Sequence, residues 1–419
     1  MTFESFAEAQ NFLLWAAFGL AFIIGLVANK TNFCTMGAVS DMVNMGDYSR
    51  FRAWLLAITV ALVGVVVLEY LGVMSVDGSF PPYRASQIIW AENLLGGILF
   101  GVGMTLASGC GNKTLVRIGG GNIKSLMVLV VLGLFAFYMT NPFPGSDKTL
   151  FSVLFYDWIR PLAVDTGRPS DLGNLINPDA PELTRLIIGG VAAVILLWVI
   201  FKDHDFRSSR DNILGGLIIG LVILAAWYIS ANIQVDVEGE PYSLTGYYEE
   251  WDMLADDESG KPAMGRPLAT QSFTFVNPSA QFVGFNLGGY KVSLLSFGVM
   301  AVFGVILGSL FWALLSRNFR IEWFASVRDF FNHLIGAVLM GIGGTLALGC
   351  TFGQGITGLS TLAVGSFLAF GGIVFGSALT MKIQYYTMLY EDASFLDALI
   401  TSLVELKLLP KSLRRLEQL

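Results

Sequence analysis

The sequence predicts an all-α integral membrane protein with about nine transmembrane helices, and three observations carry the prediction. Hydrophobic residues fill 54% of 419 positions and charged residues only 14%, and the mean hydropathy of +0.64 lies well above that of soluble domains. The apolar residues are gathered into runs long enough to cross a bilayer. A glycine-rich segment of the first half recurs, nearly position for position, in the second.

A hydrocarbon core of about 30 Å needs about 20 mostly apolar helical residues. In chain order the runs are roughly 10–29, 53–72, 88–109, 124–140, 184–201, 212–230, 292–315, 332–349 and 361–381. The first follows Glu4 and Glu8 instead of a basic segment, so it reads as a retained helix and not a cleaved signal peptide. Lys and Arg in short loops set orientation. Lys30, Arg50 and Arg52 follow the first run, Lys113, Arg117 and Lys124 the third, Lys202, Arg207 and Arg210 the fifth, and Arg317, Arg320 and Arg328 the seventh. Every alternate loop is basic, which places the N-terminus outside and the C-terminus in the cytoplasm.

The chain reads as one transmembrane domain, 1–419. The segments 141–183 and 232–291 are rich in Pro, Asp, Asn and Tyr, hold the acidic run EEWDMLADDE at 249–258, and carry no 20-residue apolar run. They read as outer caps or vestibule walls. Residues 393–419 alternate apolar and charged positions up to a break at Pro410, as an amphipathic helix on the cytoplasmic interface would. The net charge of −7 is concentrated in connecting segments and argues against nucleic-acid binding.

The segment LLGGILFGVGMTLASGC at 94–110 aligns without a gap on LIGAVLMGIGGTLALGC at 334–350, with ten of seventeen positions identical. Gly96, Gly101, Gly103, Thr105, Ala107, Gly109 and Cys110 match Gly336, Gly341, Gly343, Thr345, Ala347, Gly349 and Cys350. Shared leucines arise readily between two apolar helices, whereas a shared glycine spacing ending in a common cysteine marks a duplicated unit. By the charge count the copies run in opposite directions, so the repeat is inverted, with unit one at about 10–140 and unit two at about 292–381. Inverted repeats with interrupted helices are a transporter architecture.

The chain has three cysteines, with no C-x-x-C pair and only two histidines. Structural disulfides and zinc are poorly supported, and no metal or cofactor is expected. Cys34, Cys110 and Cys350 share one setting, a span terminus followed by small or polar residues: TMG, GNKT and TFGQG. Each precedes a short segment, 35–48, 111–122 and 351–360, suited to a half-helix re-entering the membrane. Backbone that leaves helical geometry at membrane depth persists only where protein or a water-filled cavity satisfies it, so the breaks mark a lined pathway. Thiols are soft, weak donors, half-helix N-termini favour anions, and Lys113 and Arg117 add positive charge. The predicted pathway therefore includes Cys34, Cys110, Cys350, Gly109, Gly111, Lys113, Arg117, Gly349, Thr351 and Gln354, and its substrate is a small anion with a soft atom.

Other motifs fit less well. GCGNKT lacks the glycines of a phosphate-binding loop, with Ala107 and Asn112 in their places. His204 and His333 read as structural, and Glu69 and Glu92, near outer span ends, read as interfacial groups with a proton-relay role as the alternative.

The stretches FCTMGAVSD at 33–41, GCGNKTLVRIGGGN at 109–122 and GCTFGQGITGLSTL at 349–362 resemble the YeeE/YedE family of bacterial inner-membrane proteins, which includes thiosulfate transporters. The resemblance implies nine transmembrane helices plus short re-entrant ones in an hourglass with inverted pseudo-symmetry. It also implies a constricted path along which thiols, here Cys34, Cys110 and Cys350, hand thiosulfate inward through S–H contacts, and a TusA-like sulfur-carrier protein as partner. The chain differs from the family pattern in its long outer loops and in Asn112-Lys113. Relatives are linked to other sulfur compounds and to selenium, so the alternatives are another such substrate, or a membrane sulfurtransferase or redox protein carrying sulfur covalently on cysteine. Cys110 is the expected indispensable residue. Cys34, with no cysteine in VILGSLFWALLSRNF, the region set against it in the second half, is the most dispensable.

Overall fold

The structure is a computed structural model that describes residues 1–254, 261, 268–390 and 393–416. Helices α1 (Phe6–Lys30), α2 (Thr35–Ser40), α3 (Ser49–Tyr70), α4 (Trp90–Leu106), α5 (Gly111–Gly119) and α6 (Ile123–Thr140) form the first half. A cap follows, with α7 (Leu150–Leu154), α8 (Tyr156–Ile159) and α9 (Leu172–Ile176). Then come α10 (Pro181–Phe201), α11 (His204–Ser208), α12 (Arg210–Asn232), α13 (Leu244–Glu249) and α14 (Trp251–Leu254). The second half holds α15 (Asn277–Leu287), α16 (Phe297–Leu315), α17 (Val327–Leu346), α18 (Val364–Leu389) and α19 (Phe395–Glu405). Among the described residues strands are confined to one end, where β1 (Thr2–Phe3) pairs with β4 (Gln234–Val237), β4 with β5 (Glu240–Ser243), and β2 (Gln87–Ile88) with β3 (Val164–Asp165).

Among the described residues eight helical stretches are long and apolar enough to cross a bilayer. The expected ninth, at 332–349, is the twenty-residue helix α17. Arg328, Asp329, Asn332 and His333 crowd its first two turns, so it crosses the bundle with less apolar sequence than the others. Asp329 pairs with Lys124, and the His333 Nδ1 lies 2.8 Å from the Asp329 carbonyl.

The basic loops meet at one end of the bundle, the basic end. There Asn29 donates to Ser309, Arg52 pairs with Asp203, and the Arg320 N–H donates to the Gly120 carbonyl. The opposite, cap end carries the strands, the 141–180 cap and the N-terminus. Helices α4 and α17 pack at its centre in reciprocal fashion. A Cβ on Gly103 would fall 2.6 Å from the Gly336 carbonyl oxygen, and one on Gly336 would fall 2.6 Å from that of Gly103. Only glycine allows the backbones this close.

Three expectations change. Segment 232–291 is not wholly an outer cap, because residues 271–281 lie almost entirely buried and α15 packs against α6 and α16; part of the acidic run 249–258 falls outside the described residues. Neither Glu92, buried against Arg160, nor Glu69 is a solvated interfacial group. Glu69 is buried in a bidentate pair with Arg84, at 2.7 and 2.9 Å, inside a network that includes Asp77, Arg185 and Asp171. Among the described residues the tail forms an α-helix over α19 and a single 3-10 turn at Lys411–Leu413 beyond Pro410, and α19 is tied to the end of α18 by Glu405, whose carboxylate meets Lys382, Arg414 and the Tyr386 hydroxyl.

Candidate functional site

Each cysteine stands at the N-terminus of a short helix. Cys34 and Cys110 are the N-caps of α2 and α5, and Cys350 immediately precedes the helical stretch 351–360. At Cys34 the Gly37 N–H donates to the sulfur at 3.5 Å, whereas the Lys113 and Gly353 N–H groups lie near Cys110 and Cys350, at Cys110 without closing a cap hydrogen bond. The N–H groups of Phe352 and Phe275 also point at Cys350. A sulfur that accepts from a helix N-terminus leaves its S–H hydrogen to point elsewhere, toward a passing acceptor.

The break that places Cys110 is repeated at Cys350. Ser108 and Leu348, two residues before each, are left-handed at φ 58° and 57°. Gly109 N–H closes on the Met104 carbonyl and Gly349 N–H on the Gly344 carbonyl, both at 2.8 Å. These are helix-terminating turns, and after them the chain starts a new short helix. Six of the ten residues of the 351–360 stretch, Gly353–Gly358, are wound as a π-helix, a form associated with functional sites.

The two short helices meet end to end. The Cys110 thiol faces the Thr351 hydroxyl and lies within electrostatic reach of both Cys34 and Cys350. All three thiols are buried and free of disulfides. Among the described residues no three His, Cys, Asp or Glu side chains are gathered closely enough to hold a metal ion.

Below this waist, toward the basic end, Lys113 reaches Asn32 Oδ1 at 2.6 Å, and Cys34, Cys110, Arg50 and Arg117 are its electrostatic neighbours. Arg50 is held in place by a bidentate pair with Asp41. Gly109 lets the Lys113 stem pass, since a Cβ there would lie 3.1 Å from it, and a Cβ on Gly111 would lie 3.3 Å from the Phe275 carbonyl oxygen. On the cap side, Gln354 donates through Nε2 to the Ala347 carbonyl at the broken end of α17, and a Cβ on Gly349 would lie 3.4 Å from the Gln354 side chain. The ten residues expected from sequence thus lie in one connected region.

Folding adds residues that sequence reasoning missed. Thr274, from the buried stretch before α15, brings its hydroxyl to 4.0 Å from the Cys350 sulfur. A cleft of about 190 Å³ opens beside Gln354, lined also by Tyr83, Asn93, Arg160, Ser170 and Ser366. Tyr83 lies within electrostatic reach of Cys350. The Tyr83 hydroxyl, Asn93 Oδ1, Gln354 Oε1 and Ser366 Oγ are buried with no hydrogen-bond partner among the described residues, as are Thr351 Oγ1 and Asn112 Oδ1 at the waist. Unpartnered buried polar atoms are rare and costly in proteins, and here they trace a line from the cleft to the cysteines.

Residues 30–379, spanning the three cysteines and both short helices, match the family described as sulphur transport. The chain belongs to the sulphur transport family. Two relatives bear the name thiosulfate transporter TsuA. One, from Escherichia coli (strain K12), is 24% identical over 355 residues, 80% of this chain and 84% of the relative. The other, from Spirochaeta thermophila, is 22% identical over 369 residues, 85% of this chain and 94% of the relative. A sulphur transport protein accounts for the bundle's lipid-facing exterior and its interior polar line together.

Proposed function

We propose that the protein imports thiosulfate across the bacterial inner membrane, with the cap end outside and the basic end in the cytoplasm. The anion enters by the cleft beside Gln354, passes Cys350, Cys110 and Cys34 in turn, and leaves past Lys113, Arg50 and Arg117. The observation that carries this reading is the convergence of three N-cap cysteines on one waist between an unpartnered polar cleft and a cationic mouth. The names of the two relatives support thiosulfate as the substrate.

The thiols act as neutral S–H donors. Each contact is weak enough to break, as conduction through successive sites requires, and the apposed helix N-termini supply N–H groups that compensate lost hydration. Nothing in this sequence of contacts requires a covalent step. Import of a dianion against about 100 mV costs about 4.6 kcal/mol, so accumulation needs consumption in the cytoplasm, for which a TusA-like sulfur carrier is the proposed acceptor.

We also read the chain as two inverted units, α1–α6 and α12–α18, which extends the second beyond the expected 292–381 and sets the stretch before α15, in place of VILGSLFWALLSRNF, against Cys34. The reciprocal packing of α4 on α17 supports this, as does the pairing of α1 with α16 and α12 with α3. On that reading α15 corresponds to α2, and Thr274 and Phe275 occupy the place that Cys34 holds in the first unit.

The test is growth on thiosulfate as sole sulfur source in a strain stripped of its other uptake systems, paired with labelled uptake in the presence of excess sulfate, sulfite or selenite. The proposal expects growth and uptake that unlabelled thiosulfate suppresses best. Suppression by selenite or sulfite in preference to thiosulfate would reassign the substrate.

A further inference from the structure

The mouth of the cleft holds an ion pair unlike the three two-pronged forks among the described residues. Arg84 with Glu69, Arg185 with Asp171 and Arg50 with Asp41 are bidentate, each guanidinium presenting two nitrogens to two carboxylate oxygens. Such forks combine geometry with strength. Arg160 and Glu92 meet through one contact, Nε to Oε1 at 3.2 Å, and neither atom has a hydrogen bond of good geometry among the described residues.

Their settings differ as well. Glu92 is buried in the first turn of α4, with 4% of its side chain exposed. Arg160 comes from the 141–183 cap, retains 35% side-chain exposure, and lies over the Phe151 ring at 5.3 Å. It is the charged residue among those lining the cleft, beside the unpartnered Tyr83, Asn93 and Ser366. Arg84, adjacent in sequence to the cleft residue Tyr83, is committed to Glu69, Asp77 and the Thr361 carbonyl.

We propose that Arg160 is an exchangeable cation at the mouth, drawn from Glu92 by the arriving oxyanion, so that Glu92 sets a threshold that a dianion crosses and chloride does not. The cap thereby acquires a role in selectivity. A guanidinium matches the oxygen edge of a tetrahedral oxyanion as it matches a carboxylate, and the monodentate pair with Glu92 leaves that match to be completed by the substrate. A competitor that gives up its partner discriminates by difference of affinities, rejecting weak binders.

This proposal rests on the transport reading, and its test separates the two. Thiosulfate uptake is measured in proteoliposomes for the unmodified chain, Arg160→Ala, Arg160→Lys and Glu92→Gln, with and without excess chloride. Exchange predicts a KM about tenfold higher in Arg160→Ala, the loss of one charge-assisted contact, with partial recovery in Arg160→Lys. It predicts a lower KM in Glu92→Gln, together with new inhibition by chloride. A pair that merely pins the cap would raise KM in Arg160→Ala and Glu92→Gln alike, and that result, or a KM unmoved in Arg160→Ala, overturns the proposal. Absence of uptake by the unmodified chain would overturn the transport reading and the exchange with it.

Discussion

Cysteine is an uncommon helix N-cap, because its sulfur accepts a hydrogen bond more weakly than the oxygens of Ser, Thr, Asp or Asn. Three helical stretches nevertheless start on one, and at Cys34 the Gly37 N–H closes on the sulfur. Serine is the better cap at such a position, so Cys110→Ser preserves the turn and removes only the soft donor. Uptake in that variant is expected to fall tenfold or more, about 1.4 kcal/mol on the barrier, with unchanged elution from a sizing column; Cys34→Ser is expected to fall least. The cysteines, Lys113, Thr351 and Gln354 were legible in the sequence because they cluster around helix breaks. Tyr83, Asn93, Arg160, Thr274 and Ser366 were not, since they come from five separate segments and only folding gathers them. Asn93, a polar residue inside an apolar run, was the one local signal.

Short buried elements escape a reading by hydropathy. The stretch 271–287 enters the bundle, yet α15 is only eleven residues long and no window of about twenty apolar residues exists around it. The glycine spacing shared by 94–110 and 334–350, by contrast, was legible because close packing of α4 on α17 demands glycine at fixed positions. Gly103→Ala or Gly336→Ala sets a methyl group against a backbone carbonyl, and overpacking of this kind costs about 1–3 kcal/mol. Thermal unfolding in detergent is expected to shift downward in both variants. The cap is held differently, by Asp171, which accepts from Arg185 at 2.8 and 2.9 Å and bridges to Ala363 beside the 351–360 helix. Burial works to raise the Asp171 carboxyl, but the hydrogen bond from Arg185, the Arg84 charge and the bond from Asn174 outweigh it and hold it below the usual carboxylate range. A carboxyl depressed in the folded state stabilises above its unfolded value and loses that contribution as pH falls through the folded one. The cap should therefore resist proteolysis at neutral pH and open to pepsin only below about pH 4, whereas Asp171→Asn should expose it to trypsin at pH 7.

For the molecule as a whole, the basic loops meeting at one end and the strands and cap at the other agree with the alternation of Lys and Arg along the chain. Charge patterning is legible because it is summed over many loops and survives errors of several residues in any span. The narrow waist was not legible in its dimensions, because the reversals at Ser108 and Leu348 bring distant cysteines together in a way that spacing alone does not specify. The central claim is that this waist passes thiosulfate from thiol to thiol. Its most direct test is the initial rate of labelled thiosulfate uptake into proteoliposomes, compared between the unmodified chain and Cys110→Ala at matched protein incorporation. The account predicts uptake by the former and near-background rates in the latter, and equal rates in the two would contradict it.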